Sequence, residues 1–422
     1  MELIKLSNIV GIKVMEILKS KGYEPRTNKL GLLSLEFTRE ELDQITELHI
    51  NNPQPNCLSG LEYCHNLIKL TINSSYDPYK DQNPSITDKD IKTISKITSL
   101  TELNINNQSK ITWINLNNLT NLRTLRITKN NHLEEISGLD KLKKIVELNI
   151  YGNKELYEID YLKELIASNS LDSLELDVLN FPEVVDLKTN LSKILNCRFI
   201  EVVHPKGELS YNYDVIKLFH NKCLTIIDNI SSIAKNKKQI IILLEKYLAE
   251  NIFYDYEAIA NKNRAHIENG TKRGLNNGTQ SAYNAIMYNS CVCEGYTRAM
   301  QYLLKILKIK TKNVYCIGGK DRIKINKNYH NQIELPDDGY HSIIRVELNN
   351  QIYYCDPCWD SCSYHRGDTS LPYCLKSKKD ISNDHTLSFE ESLIVDDNPA
   401  TSISSEEIEY IVKNSTEITH KR

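Results

Sequence analysis

Six short segments of this 422-residue chain repeat one pattern. They are Ile45-Thr-Glu-Leu-His-Ile50, Leu67-Ile-Lys-Leu-Thr-Ile72, Leu100-Thr-Glu-Leu-Asn-Ile105, Leu122-Arg-Thr-Leu-Arg-Ile127, Ile145-Val-Glu-Leu-Asn-Ile150 and Leu171-Asp-Ser-Leu-Glu-Leu176. Apolar residues hold positions one, four and six. The fourth-position leucines, Leu48, Leu70, Leu103, Leu125, Leu148 and Leu174, are separated by 22, 33, 22, 23 and 26 residues. Alternation over positions four to six is a strand with one buried face. A unit in the low twenties cannot bury that face alone, so neighbouring units stack and share one core, with their strands side by side in a parallel sheet.

L-x-x-L-x-L strands at this period predict a leucine-rich-repeat solenoid over 41–203, with residues 1–40 as a helical cap over the first strand. Asn130 and Asn153 hold the repeat's asparagine position, where an amide satisfies turn backbone groups; other repeats lack it. The 33-residue interval carries a polar, Pro-bearing insertion from Ser74 that bulges from one face. Pro182 to Leu195, followed by Arg198-Phe-Ile-Glu-Val-Val203, reads as a last irregular repeat. With Ile-Ser-Gly-Leu at 136–139, residues 1–203 resemble internalin-type repeats, which implies a curved platform. Its outward positions include Glu47, His49, Lys69, Glu102, Arg123, Arg126, Glu147, Tyr151 and Glu175. Mixed signs there suit a protein partner better than a polyanion.

A net charge of −3 gives no reason to expect nucleic acid or an anionic membrane. No apolar run approaches membrane-spanning length, and the N-terminus shows no cleavable leader. Eleven scattered cysteines fit a reducing compartment, the cytoplasm, with export by a leaderless route left open.

Residues 204–214, polar with Pro205 and Gly207, read as a linker. Residues 215–390 then read as a second domain, and 391–422 as a polar tail with a short helix near Glu406–Val412 or little order. Two amphipathic helices open the second domain, one through Val215–Ile230 and one from Lys237 to Glu250. A glycine-bearing loop follows at 261–279. From Cys293 onward, Tyr296, Met300, Leu303, Leu304 and Leu307 have helical spacing, which puts Cys293 at a helix start. Unpaired N–H groups and the helix dipole favour a thiolate there.

Downstream come a strand over Lys312–Ile317, a polar loop to Gly339, and a hairpin whose strands meet at Asn349-Asn350. A two-residue turn makes paired numbers sum to 699 and brings His341 and Asp356 onto one face as diagonal neighbours. Ile344, Val346, Leu348, Tyr353 and Cys355 then form the core face. A thiol, an imidazole and a carboxylate that orients it are the parts of a nucleophilic acyl-transfer site. The backbone N–H of Cys293 and the side chain of Tyr283 are the oxyanion candidates.

Val292-Cys293-Glu294-Gly295-Tyr296, His341 at a strand head and Asp356-Pro357-Cys358-Trp359-Asp360 resemble the three motifs of the transglutaminase-like superfamily across about residues 236–390. The resemblance implies a papain-like α+β core and thioester chemistry on amide carbonyls, with Cys293 as nucleophile, His341 as base and acid, and Asp356 as orienting group. Ser342-Ile343 departs from the aromatic many members carry after the histidine, and Cys358 from a small polar residue. A competing reading makes Cys291, Cys293, Cys355 and Cys358 zinc ligands or a redox pair, but Cys355 falls on the core face and Cys-x-Cys is short for a zinc knuckle. His365 and His385 read as structural. The expected architecture is an α/β leucine-rich-repeat solenoid followed by an α+β papain-like, transglutaminase-like core, with no metal and no cofactor. The expected activity is cysteine-dependent acyl transfer on a protein or peptide, as protease, amidase or transglutaminase, with a protein docked on the repeats. The alternative is a non-catalytic repeat protein with a scaffold or metal-bound second domain.

Overall fold

The computed structural model describes residues 3–27, 31, 33–75, 83–156, 158–159, 161–168, 170–185, 191–203, 207–258, 277–318, 340–395 and 398–419. The chain forms two compact units, Met1–Ile200 with Ser210–Tyr213 and Glu201–Leu209 with Asp214–Arg422.

In the first unit every repeat segment is a strand of one eight-stranded sheet, parallel from Glu47–Asn51 through Asn196–Val203. The register stacks leucine on leucine: Leu48 on Leu70, Leu70 on Leu103, Leu103 on Leu125, Leu125 on Leu148 and Leu148 on Leu174, with Cys197 next in line. All six leucines are buried, as the period requires. The return segments add a second parallel sheet of Trp113–Asn115, Glu135–Ser137 and Glu158–Ile159. At the start, helix Asn8–Ser20, capped by Ser7, buries Val10, Val14 and Leu18.

The asparagine positions form a buried ladder. Asn130 Nδ2 donates to the Ile105 carbonyl while its Oδ1 accepts the Gln108 N–H, and Asn153 Oδ1 accepts the Asn130 N–H. Gln108 fills the same slot one repeat earlier, its Oε1 accepting the Ile86 N–H. The expectation that other repeats lack this position is corrected there: a glutamine performs the task one methylene longer. Asn130→Ala leaves buried backbone groups unpaired and should cost about 2–4 kcal/mol in urea unfolding; a loss below ~0.5 kcal/mol would mean that the amide ladder does not hold the turns.

The second unit sets helices against a four-stranded antiparallel sheet, ordered Gln351–Cys355, Tyr340–Leu348, Thr311–Gly318, His385–Leu387. The hairpin pairs Leu348 with Gln351 and Ile344 with Cys355, the register the two-residue turn predicts. Asn349 and Asn350 both adopt left-handed backbone, φ 53 and 61, as a type I′ turn needs. Ser342 points toward helix Cys293–Ile306, where its hydroxyl meets Thr297 Oγ1 at 2.9 Å. The opposite face is also buried: Val314, Cys316, Ile343 and Tyr354 pack with Ile381 and Leu387. A hairpin with only one core face is therefore corrected, because the chain after residue 371 covers the second.

Residues 207–214 are not a linker; Gly207–Asn212 is a strand, and a helix runs over Tyr213–Ser231. The tail is ordered as helix Ser405–Thr419, which buries Ile408 and Ile411 and pairs Glu407 with Lys238. Of the loops expected at 74–87, 261–279 and up to 339, residues 76–82, 259–276 and 319–339 lie outside the described residues. No helix among the described residues is long and apolar enough to cross a membrane.

Candidate active site

Val292 is the N-cap of helix Cys293–Ile306, so Cys293 occupies its first turn. The thiol is half-buried, while Cys291, two residues earlier, is fully buried. A methyl group on Gly295 would stand 2.5 Å from Cys291 Cβ and 3.0 Å from the Thr279 carbonyl. Glycine in the Val-Cys-x-Gly-Tyr run is therefore a packing requirement: Cys291 and the 279 backbone lie directly against it. Tyr296 donates to the Ile252 carbonyl at 2.8 Å, and buried Glu294 holds Arg298 at 2.8 Å and the Tyr315 hydroxyl at 3.0 Å. The helix start is thus fastened on three sides.

Asp356 ends the hairpin as N-cap of helix Pro357–Tyr364. Its Oδ1 accepts the N–H groups of Cys358 at 3.1 Å and Trp359 at 3.0 Å, and proline at the first helical position has no N–H to leave over. Its Oδ2 lies 2.6 Å from His341 Nε2 and 2.9 Å from His385 Nε2. Burial works to raise this carboxyl, but the two imidazoles prevail and hold it well below the usual carboxylate range. For His341, burial works downward, while the charge and hydrogen bond of Asp356, joined by a hydrogen bond with the Cys293 thiol, push it up to about 10. Nε2 faces the carboxylate, which fixes the orientation of the ring and favours its charged form.

Trp359 stacks on His341 with ring centroids 5.2 Å apart and meets His385 at 4.4 Å. Gly318 makes room for it, since a β-carbon there would lie 2.6 Å from the indole. Ser342, of the Ser342-Ile343 pair that departs from the aromatic pattern, ties the histidine strand both to Thr297 and to Asn313 Oδ1, at 2.5 Å.

The structure thus brings Cys293, His341 and Asp356 together. It gives Tyr283 different company: the ring packs against Phe219 and Tyr288, each with centroids 5.9 Å away, and not against the triad. Tyr254 comes from the strand beside Cys291 and pairs with it, and burial, followed by the charge of Cys293, keeps the phenol protonated. A two-residue strand carries too little periodicity for sequence reasoning to find it. His385, read as structural, is the second imidazole on Asp356; its Nδ1 also faces the Ile381 carbonyl at 3.3 Å, so both ring nitrogens face acceptors.

Among the described residues, Cys291, Cys293, Cys355 and Cys358 do not form a metal-ligand group; Cys355 groups with Glu245 and Cys374. His341, Asp356 and His385 also converge, but 2.6 Å is shorter than the ~3.3 Å that two donors of one tetrahedral ion keep, and it fits a charged hydrogen bond. The Cys362 thiol is shifted downward: a hydrogen bond from Cys358 outweighs burial and, with Tyr256 and Arg366 nearby, brings it to about 6. Of the outward repeat residues, Arg126 bridges Glu147 at 2.7 Å and Glu102 at 3.1 Å, and Lys69 reaches Glu102 at 3.1 Å. Glu175 bonds Asn149, Lys129 lies over the Tyr151 ring, and Glu47, His49 and Arg123 are exposed.

No protein family and no curated protein matches the chain. Solved structures that resemble parts of it include an internalin from Listeria monocytogenes, at 24% identity and TM-score 0.32, covering 46% of this chain and 56% of that one. A Cytophaga hutchinsonii protein provisionally described as a cysteine protease matches at 12% identity and TM-score 0.22, covering 40% of each chain. The functional domain of another Listeria monocytogenes internalin matches at 21% identity and TM-score 0.23, covering 35% of this chain and 33% of its own. The chain spans about half the length of the first of these, and the likenesses are partial.

Two outcomes follow from this geometry. Gly295→Ala should destabilise the protein by about 1–3 kcal/mol through overpacking, read as a lowered urea midpoint at constant slope. His341 is raised above the ~6.5 of a free imidazole, so its contribution to stability is complete below ~6.5 and is lost as pH climbs toward about 10. Asp356 is depressed, so its share is present above ~3.9 and fades as pH falls below that. The stability gap between wild type and His341→Gln should be widest from pH ~4 to ~6.5 and shrink toward 10; a gap that grows with alkali contradicts the pairing.

Proposed function

We propose that the second unit is a thiol-dependent acyltransferase or hydrolase with a transglutaminase-like, papain-like arrangement, acting on amide bonds of a protein or peptide. The observation that carries this is the 2.6 Å His341–Asp356 pair on a strand packed against the helix that begins at Cys293. His341 takes the thiol proton, and the sulfur attacks the amide carbonyl carbon. The resulting oxyanion meets the Cys293 N–H, which has no intrahelical acceptor, and the Tyr254 hydroxyl. His341 returns the proton to the amine nitrogen as the C–N bond breaks, leaving a thioester. Water then releases an acid, giving protease, amidase or deamidase behaviour, or a second amine takes the acyl group and gives a crosslink. Water is the acceptor we favour, being abundant at a half-exposed sulfur. The repeat unit is the proposed docking platform for a protein partner.

Mass spectrometry of candidate proteins incubated with wild type and with Cys293→Ala tests the reading. Cleavage, ammonia loss or amine addition that vanishes in the variant supports it, and the kind of mass shift identifies the acceptor. Asp356→Asn should lower the rate by about 10²–10⁴ by destroying the tautomer and the charge partner. At pH 6 iodoacetamide should label Cys293 and Cys362 ahead of the buried thiols. Labelling of Cys293 that is unchanged by His341→Ala argues for a scaffold without turnover.

A further inference from the structure

Behind the hairpin lies a cluster the acyl-transfer reading does not use. Glu245, in the middle of helix Lys237–Asn251, is completely buried, and neither of its carboxyl oxygens has a hydrogen-bond donor among the described residues. The groups around it are Asp360, Cys355 and Cys374. Asp360 and the two cysteines are also completely buried. One carboxyl oxygen and the two sulfurs lie within 4.8 Å of one another.

Each of these side chains is acidic, so none donates a hydrogen bond unless it keeps its proton. A core built from four acids needs either four retained protons or a cation. Two details favour the cation. Both Glu245 oxygens lack donors, which gives a carboxylate able to bind through two atoms. The Leu375 N–H donates to Cys355 Sγ at 3.2 Å, a bond that stabilises a thiolate far more than a neutral thiol.

We propose that Glu245, Cys355 and Cys374 bind one structural zinc ion. Both Glu245 oxygens and both sulfurs supply four donors, the number that closed zinc sites use. Asp360 lies beside the ligands as the neutral acid, its Oδ1 accepting the Tyr373 N–H at 2.9 Å. On binding, the two thiols and Glu245 give up three protons to solvent. The ion and three anions then leave one net negative charge, where four full anions would leave a far less tolerable buried field. The ion joins the Glu245 helix, the hairpin strand and the segment at Cys374. Cys355 immediately precedes Asp356, so the same ion fixes the backbone that carries the orienting carboxylate. The site stands independently of whether Cys293 turns over a substrate.

Elemental analysis of the full-length protein, purified without chelator or affinity metal, is the first measurement. About one zinc per chain that survives dialysis is expected. Glu245→Gln and Cys374→Ser should each lose it. Cobalt exchanged into the wild type should give thiolate-to-cobalt charge-transfer absorption, which reports sulfur ligation without needing a variant that folds. Zinc added to chelator-treated protein should raise the melting temperature of wild type and leave Glu245→Gln unmoved. Protein that stays metal-free after incubation with zinc and shows no cobalt–sulfur band overturns the proposal. So does equal zinc content in both variants, or a Cys355–Cys374 disulfide in the purified chain.

Discussion

The second unit turns on one carboxylate. Asp356 is fully buried, and burial of an ion without partners is among the most costly events in folding. It is tolerated because its two oxygens receive donors from four directions: two backbone N–H groups of the helix it caps, and two imidazoles. The same set of bonds ends the hairpin, starts a helix, holds His341 in one orientation and brings Trp359 over the ring. Stability and proposed chemistry therefore rest on the same atoms. Replacing the aspartate by a neutral isostere would disturb the cap and the histidine together.

Much of this was legible in the chain, and for identifiable reasons. The spacing of Leu48 through Leu174 dictates strands that must stack, and the coordinates stack them leucine on leucine. The Asn349-Asn350 turn accepts left-handed backbone at two successive positions, which leaves one hairpin register and so brings His341 toward Asp356. Cys293 could be placed at a helix start because Tyr296, Met300, Leu303 and Leu304 define one face. These are local or periodic signals, which survive in a single sequence.

What the chain hid was convergence without period. His385 lies 29 residues beyond Asp356 in a three-residue strand, and Glu245 lies more than a hundred residues before Cys355 in a helix whose apolar stripe looks ordinary. Tyr254, the proposed oxyanion donor, comes from a two-residue strand, too short to show a period in the sequence. Gly207–Asn212 looked like a connector because its composition is polar, yet its backbone bonds make it part of a sheet. Composition reports solubility; pairing depends on what the rest of the fold offers.

The close fit of Gly295 against Cys291 and the carbonyl of residue 279 has a kinetic corollary. With the floor beneath Cys293, the proposed nucleophile, packed solid, the main chain there has little slack with which to advance on an incoming carbonyl. In the proposed reaction, rotation about one Cα–Cβ bond would then supply most of the sulfur's travel, so approach distance would be governed by how deeply a scissile bond can be seated, and bulky neighbours along a polypeptide would be filtered by depth before any bond is made.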